Sequence, residues 1–261
     1  MRKTKLQLAL SSILLVTMVL LFVATTVAYF SDHKQFTNTI TSGNVEIVLS
    51  EAAVTRDSVG HLVEDKSRPR ITSYGNAGNA THNYGKIYPS QTIFKDPTIE
   101  NTGSEEAWVA YRITLKDGKG DLRKLLGYHL NNNPNTISNE IDISILFDGA
   151  LFGDPRVHLG VWNGIDNVLY TDEYAMAQVA DPANNKFEFY VFILKPLKSG
   201  EEVTFFNTMT IPSEWNNAQM QELAELTIEI EAFGVQTFNM VDCYTAMTTA
   251  LPEYFNFKKG Q

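Results

Sequence analysis

The chain has 261 residues, of which 44% are hydrophobic, enough to bury one large core or two small ones. It carries 21 Lys plus Arg against 30 Asp plus Glu, and Arg2, Lys3 and Lys5 lie within the first five residues, so the remainder is more acidic still. That balance repels phosphate and anionic lipid and excludes a nucleic-acid-binding role for the folded part. The single cysteine, Cys243, leaves no internal disulfide, so packing alone must hold the fold.

A basic start, Met1–Lys5, leads into an uncharged run, Leu6–Ala28. At about 1.5 Å per residue this run is long enough to span a bilayer, so length alone leaves a retained anchor open. Its hydrophobicity fades after Phe22 and it ends in small residues, with Thr26 and Ala28 forming a small-residue pair acceptable to a signal peptidase. This favours a signal peptide over 1–28 cleaved between Ala28 and Tyr29. The rest is expected outside the cell, since no later segment has the length or apolarity of a membrane span. Next comes a mildly β-prone stretch, Tyr29–Ile40, with Phe30, Phe36 and Ile40 apolar. Freed by cleavage, such an end can add to an open sheet edge on a neighbouring molecule; its plain alternative is an ordinary first strand or tail.

From Val45 the dominant period is two, the mark of strands with one face on a core. Val45, Ile47 and Leu49 alternate, and Trp108–Leu115 places Val109, Tyr111, Ile113 and Leu115 on one side. Asn139–Phe147 alternates through Ile141, Ile143 and Ile145, and Leu226, Ile228 and Ile230 alternate with Thr227, Glu229 and Glu231. Lys186–Leu194 and Val203–Ile211 carry aromatics on both faces, as central strands covered twice do. Val157–Trp162 and Val168–Tyr170 are shorter candidates. Between these lies a long surface loop over 55–89, poor in apolar residues, with room for a small hairpin. Leu122, Leu125 and Leu126 fit one short helix; Phe238, Val241, Thr245 and Thr248, with Met247 and Leu251, fit another that stops before Pro252. Strands separated by Gly, Asn, Asp and Pro turns predict a two-sheet sandwich or barrel, with helix confined to inserts.

Catalytic signatures are missing. The five histidines, His33, His61, His82, His129 and His158, are scattered singly, and no pair has the helical spacing of a zinc hydrolase. There is no nucleophile elbow and no phosphate-binding loop. The pairs Glu105-Glu106, Asp172-Glu173 and Glu201-Glu202 point their members to opposite faces of a strand and read as solvated turns. Cys243 reads as a small buried apolar residue. Asp148, Asp154, Asp166 and Asp172, with Asn163 and Asn167, supply oxygen donors that suit calcium, without the spacing of a calcium loop. No other cofactor is expected.

Three blocks carry a resemblance. They are Ala28-Tyr-Phe-Ser-Asp32 followed by Phe36–Gly43 and Val45–Leu49; Tyr88-Pro-Ser-Gln-Thr-Ile-Phe-Lys-Asp-Pro-Thr-Ile-Glu-Asn-Thr-Gly103; and Trp215-Asn216 followed by Leu226–Gln236. In this order they resemble the TasA, CalY and camelysin family of secreted bacterial proteins, whose signals are removed by the peptidase SipW. The resemblance implies an all-β, jelly-roll-like sandwich that polymerises into biofilm-matrix fibres, each subunit lending its N-terminal strand to the next. It makes 29–44 the donor segment; together with the residue patterns this puts the sandwich at 45–237 and a C-terminal helix and tail at 238–261. The chain departs from the family in having Pro89-Ser90 where a Pro-Gly turn is usual, in the long insert before Tyr88, and in the C-terminal helix. Partners implied are further copies of the chain, a minor or anchoring fibre subunit and a SipW-type peptidase, with the membrane reached only through an uncleaved signal. The camelysin branch makes a surface metallo-endopeptidase the alternative, for which this sequence offers no zinc motif.

Overall fold

A computed structural model describes residues 31–33, 44–72, 87–126, 141–153, 158–223 and 225–255. They form an all-β sandwich with short helical inserts. One layer is a seven-stranded antiparallel sheet in the order β1 (Ser31–His33), β16 (Leu226–Gln236), β8 (Ala107–Asp117), β13 (Lys186–Ile193), β12 (Tyr174–Asp181), β11 (Ile165–Tyr170), β10 (His158–Trp162). The second layer is divided. A four-stranded sheet runs β14 (Glu202–Thr204), β7 (Thr98–Asn101), β2 (Ile47–Glu51), β5 (Ile71–Thr72). A five-stranded sheet runs β3 (Val54–Arg56), β4 (Leu62–Glu64), β6 (Thr92–Phe94), β15 (Thr208–Thr210), β9 (Phe147–Asp148).

Alternation decides which side chains go inside. On β8, Val109, Tyr111, Ile113 and Leu115 enter the main core, where they meet Ile47 and Ile99 of the four-stranded sheet and Ile93, Phe147 and Met209 of the five-stranded one. On β13, Phe187, Phe189, Val191 and Ile193 join the same core, while Tyr190 and Phe192 face the other way. β13 is therefore the doubly covered central strand its aromatics predict. Each such side chain contributes roughly 1.5–3 kcal/mol by leaving water.

The cover on the far side is the C-terminal helix α3 (Cys243–Ala250, numbered after the two helices below). Asp242 caps it, its side chain accepting the Thr245 N–H at 2.7 Å. Cys243, Ala246 and Met247, with Leu251 and Phe255, pack on Trp108, Ala110, Phe192, Phe233 and Val235. The Phe233 and Phe255 rings meet edge-on, 4.8 Å between centroids. The apolar cover ends at Arg112, whose guanidinium lies 5.7 Å from the Phe233 ring and 5.4 Å from the Tyr254 ring and pairs with Glu231. Beyond Arg112 this face of the sheet is charged, with Lys116 paired to Glu229.

The second layer is divided because three runs of chain switch sheets at one corner: β2 into β3, β6 into β7, and β14 into β15. Buried polar groups clamp that corner. The Lys95 ammonium donates to Glu51 Oε1 at 2.7 Å. Asp96 accepts the Ala52 N–H at 2.7 Å and the Arg70 guanidinium at 2.6 Å. Phe205 and Phe206, fully buried, fill the bend beneath, and the Tyr111 hydroxyl donates to the Val203 carbonyl at 2.6 Å.

Several expectations change in detail. Val203–Ile211 is not one central strand; it is β14 and β15, in different sheets, with the two phenylalanines at the bend. Asn139–Phe147 is not a strand within the described residues: Ile143–Ile145 is a 3-10 turn capped by Asp142, and only Phe147–Asp148 pairs. β12 had no forecast, because Ala175 and Ala177 blur its pattern. Helix α1 (Leu122–Leu126) buries the three expected leucines, and α2 (Asn217–Gln221) begins at an Asn216–Gln219 capping box. In the 55–89 stretch, β3 and β4 form the small hairpin, and 73–86 lies outside the described residues. α3 starts five residues later than Phe238, and Phe238 and Val241 are exposed at 72% and 83%. No helix among the described residues is long and apolar enough to cross a membrane.

Two outcomes follow for stability. Lys95→Met removes the ammonium that donates to Glu51 at the corner and should cost about 3–5 kcal/mol, whereas Lys95→Met with Glu51→Leu should cost markedly less, as read by urea unfolding. Asp242→Ala should remove about 1 kcal/mol and speed thiol labelling of Cys243, which is fully buried under the helix.

Candidate functional site

A sheet edge, not a cleft, is the feature with functional geometry. β16 is paired along its whole length with β8, from Leu226↔Asp117 to Gln236↔Ala107. On its other side, among the described residues, β1 pairs Ser31↔Val235, Asp32↔Gly234 and His33↔Phe233. Burial differs along the strand. Ala232, Phe233, Gly234 and Val235 are buried, while Leu226, Ile228 and Ile230, whose side chains reach the main core, are only partly so. Among the described residues, Leu226–Ala232 has no strand on its outer side.

β1 begins right after the expected junction. Of the residues expected to matter, Ala28, Tyr29, Phe30, Phe36 and Ile40 all lie outside the described residues. The backbone of Ser31–His33, inside the expected donor segment, lies against β16. What the sequence reading did not find is that β1 pairs with this strand. Its signal was present in the half-amphipathic Leu226-Thr-Ile-Glu-Ile-Glu231.

Gly234 sets the spacing at this edge. A β-carbon there would come within 2.8 Å of Ile47 Cγ2, so only hydrogen lets β2 close on β16. The opposite edge of the sheet is different. β10 exposes Leu159 and Val161, and its register with β11 shifts between Gly160 and Trp162, a bulge that bends the edge away from a regular ladder.

The chemical candidates each have a structural placement. His61 Nδ1 accepts the Thr92 N–H at 3.0 Å and so ties the β3–β4 hairpin to β6. His158 lies beside the Tyr170 ring on β10. His82, His129 and Asp154 are outside the described residues. Cys243 is buried with its thiol 3.2 Å from the Val109 carbonyl, and burial raises its pKa far above the ordinary value, which makes it inert as a nucleophile. Burial, helped by Glu188, pushes the Tyr190 hydroxyl up to about 12. Asn163 and Gly164, both at positive φ, make the tight turn between β10 and β11, and Asp148 accepts its neighbour Gly149 N–H. Glu201 accepts the Lys198 N–H, and Glu173 pairs with Lys195. No three His, Cys, Asp or Glu side chains among the described residues converge as metal ligands.

Gly234→Ala should lower stability by about 1–3 kcal/mol through overpacking. In a double-mutant cycle with Ile47→Ala, which removes the crowded methyl, the two costs should sum to less than additive in thermal unfolding. No protein-family model, no curated protein and no solved structure matches this chain.

Proposed function

We propose that the chain is an exported cell-surface or matrix subunit that assembles with copies of itself by donating its N-terminal strand. The observation that carries this reading is β1 on the long β16 edge: among the described residues, Ser31–His33, in the segment that cleavage at Ala28 would free, pairs with β16. The pairing a chain makes with itself is a pairing it can make in trans. The three blocks shared with the TasA, CalY and camelysin pattern, the removable leader and the acidic surface support the same reading. A fold that buries its core without a disulfide suits an exported bacterial subunit. No arrangement of catalytic groups favours the metallo-endopeptidase alternative.

The chain starting at Tyr29 should form fibres visible by electron microscopy, and deletion of Tyr29–Ile40 should leave a folded species that sediments as a monomer. Fibres from the deleted form would overturn strand donation.

A further inference from the structure

We infer that His61 is an acid-released latch: its neutral imidazole pins the β3–β4 hairpin to β6, and a proton on that ring frees the hairpin tip. The inference stands apart from the strand-donation reading and uses other residues.

The bond itself fixes the state of the ring. His61 Nδ1 accepts the Thr92 N–H at 3.0 Å. A main-chain N–H is always a donor, so Nδ1 carries no proton and the ring hydrogen sits on Nε2. A protonated imidazole has an N–H at both nitrogens and sets donor against donor at this contact.

Few other ties hold the tip. The backbones of β4 and β6 meet at one parallel residue pair, Leu62↔Ile93. Gln91 Nε2 donates to the Gly60 carbonyl at 3.1 Å, and Leu62 enters the main core. The hairpin is otherwise closed on itself. The Asp57 N–H donates to the His61 carbonyl at 2.9 Å, Asp57 Oδ1 accepts the amides of Val59 and His61, and Arg56 Nη1 donates to the Gly60 carbonyl. Its base is held separately, by the Asp65 N–H on the Ala53 carbonyl at 2.7 Å. The tip therefore parts from β6 as a unit, with its own turn and its base intact.

Charge supplies the sensitivity. Imidazole is the side chain that changes charge between about pH 5 and 8. Across the contact, β6 (Thr92–Phe94) and its neighbour β15 (Thr208–Thr210) carry no ionisable side chain, and the turn before β6 contributes Tyr88, which is exposed. On the hairpin the ionisable neighbours are Arg56, Asp57 and Glu64; Asp57 is held by two backbone amides, and Glu64 is turned to Lys66 at 3.8 Å. Among these described elements no carboxylate stands across the gap to keep a charged ring in place, so protonation removes the hydrogen bond without putting an ion pair there. The latch is closed while the ring is neutral and is lost as acid protonates it.

Ser31–Gln261 belongs to one compact unit, so the test uses the chain starting at Tyr29. Amide exchange is followed at Thr92 by NMR and normalised to the intrinsic rate at each pH. Between about pH 7.5 and about pH 5 the Thr92 amide should lose roughly tenfold in protection, the share of one hydrogen bond, while Val191 in the core of β13 keeps its own. In His61→Gln, which has no proton to gain, the acid step should be absent. In His61→Ala the Thr92 amide should exchange at the acid rate at both pH values. Nitrogen-15 shifts of the His61 ring should show the Nε2–H form at neutral pH. Unchanged Thr92 protection in acid, an equal acid step in His61→Gln, or a neutral ring protonated at Nδ1 would overturn the latch.

Discussion

Backbone N–H and C=O groups along the outside of β16 set the terms for this molecule. A strand of eleven residues is fully paired on one side by β8 and, among the described residues, carries Ser31–His33 of β1 on the other. Backbone groups at a sheet edge are a template for an extended chain of matching pattern. The other end of the same sheet handles the problem differently, with a short strand and a bulge at Gly160–Trp162.

Three features make the sheet behind this edge rigid. The main core joins all three sheets through β8 and β13. The corner at Glu51, Lys95, Asp96 and Arg70 locks the strands that pass between the two small sheets. α3 seals the far face under a cluster of rings running from Trp162 through Phe192 to Phe255 and Phe233. Gly234 belongs to the same design, because a side chain at that position would push β2 away from the strand that both β1 and β8 use.

Where the two faces of a strand differ in composition, the sequence was readable. β8, β13 and β16 were legible because Val109 to Leu115, Phe187 to Ile193 and Leu226 to Ile230 alternate against unlike neighbours. β12 was not, since its alanines suit either face, and Ile143 and Ile145 were misleading because a capped 3-10 turn also separates apolar residues by two. The run Val203–Ile211 looked continuous; the corner that breaks it is imposed from elsewhere in the chain, by Asp96 on the Ala52 amide and by Lys95 on Glu51. Such long-range clamps have no local signature. Ser90 shows the reverse case. It takes φ 65° in the turn closed by the Gln91 N–H to the Tyr88 carbonyl, the backbone state for which the resembling family uses glycine. The pairing of Ser31–His33 with β16 was not legible, because which strand lies at an edge is a property of topology.

Charge determines how two such molecules can meet. The chain carries a formal net charge of −9, so copies repel at long range, over a Debye length of about 8 Å at physiological salt. Around β16 that repulsion is locally cancelled. Glu231 pairs with Arg112, Glu229 with Lys116 and Glu225 with Lys119, all within one subunit. Burial alone would pull the Arg112 guanidinium down, yet the Glu231 carboxylate outweighs it and raises its pKa, which keeps the pair ionised throughout the physiological range. The ion pairs leave the outward face of β16 locally neutral while the chain as a whole stays acidic.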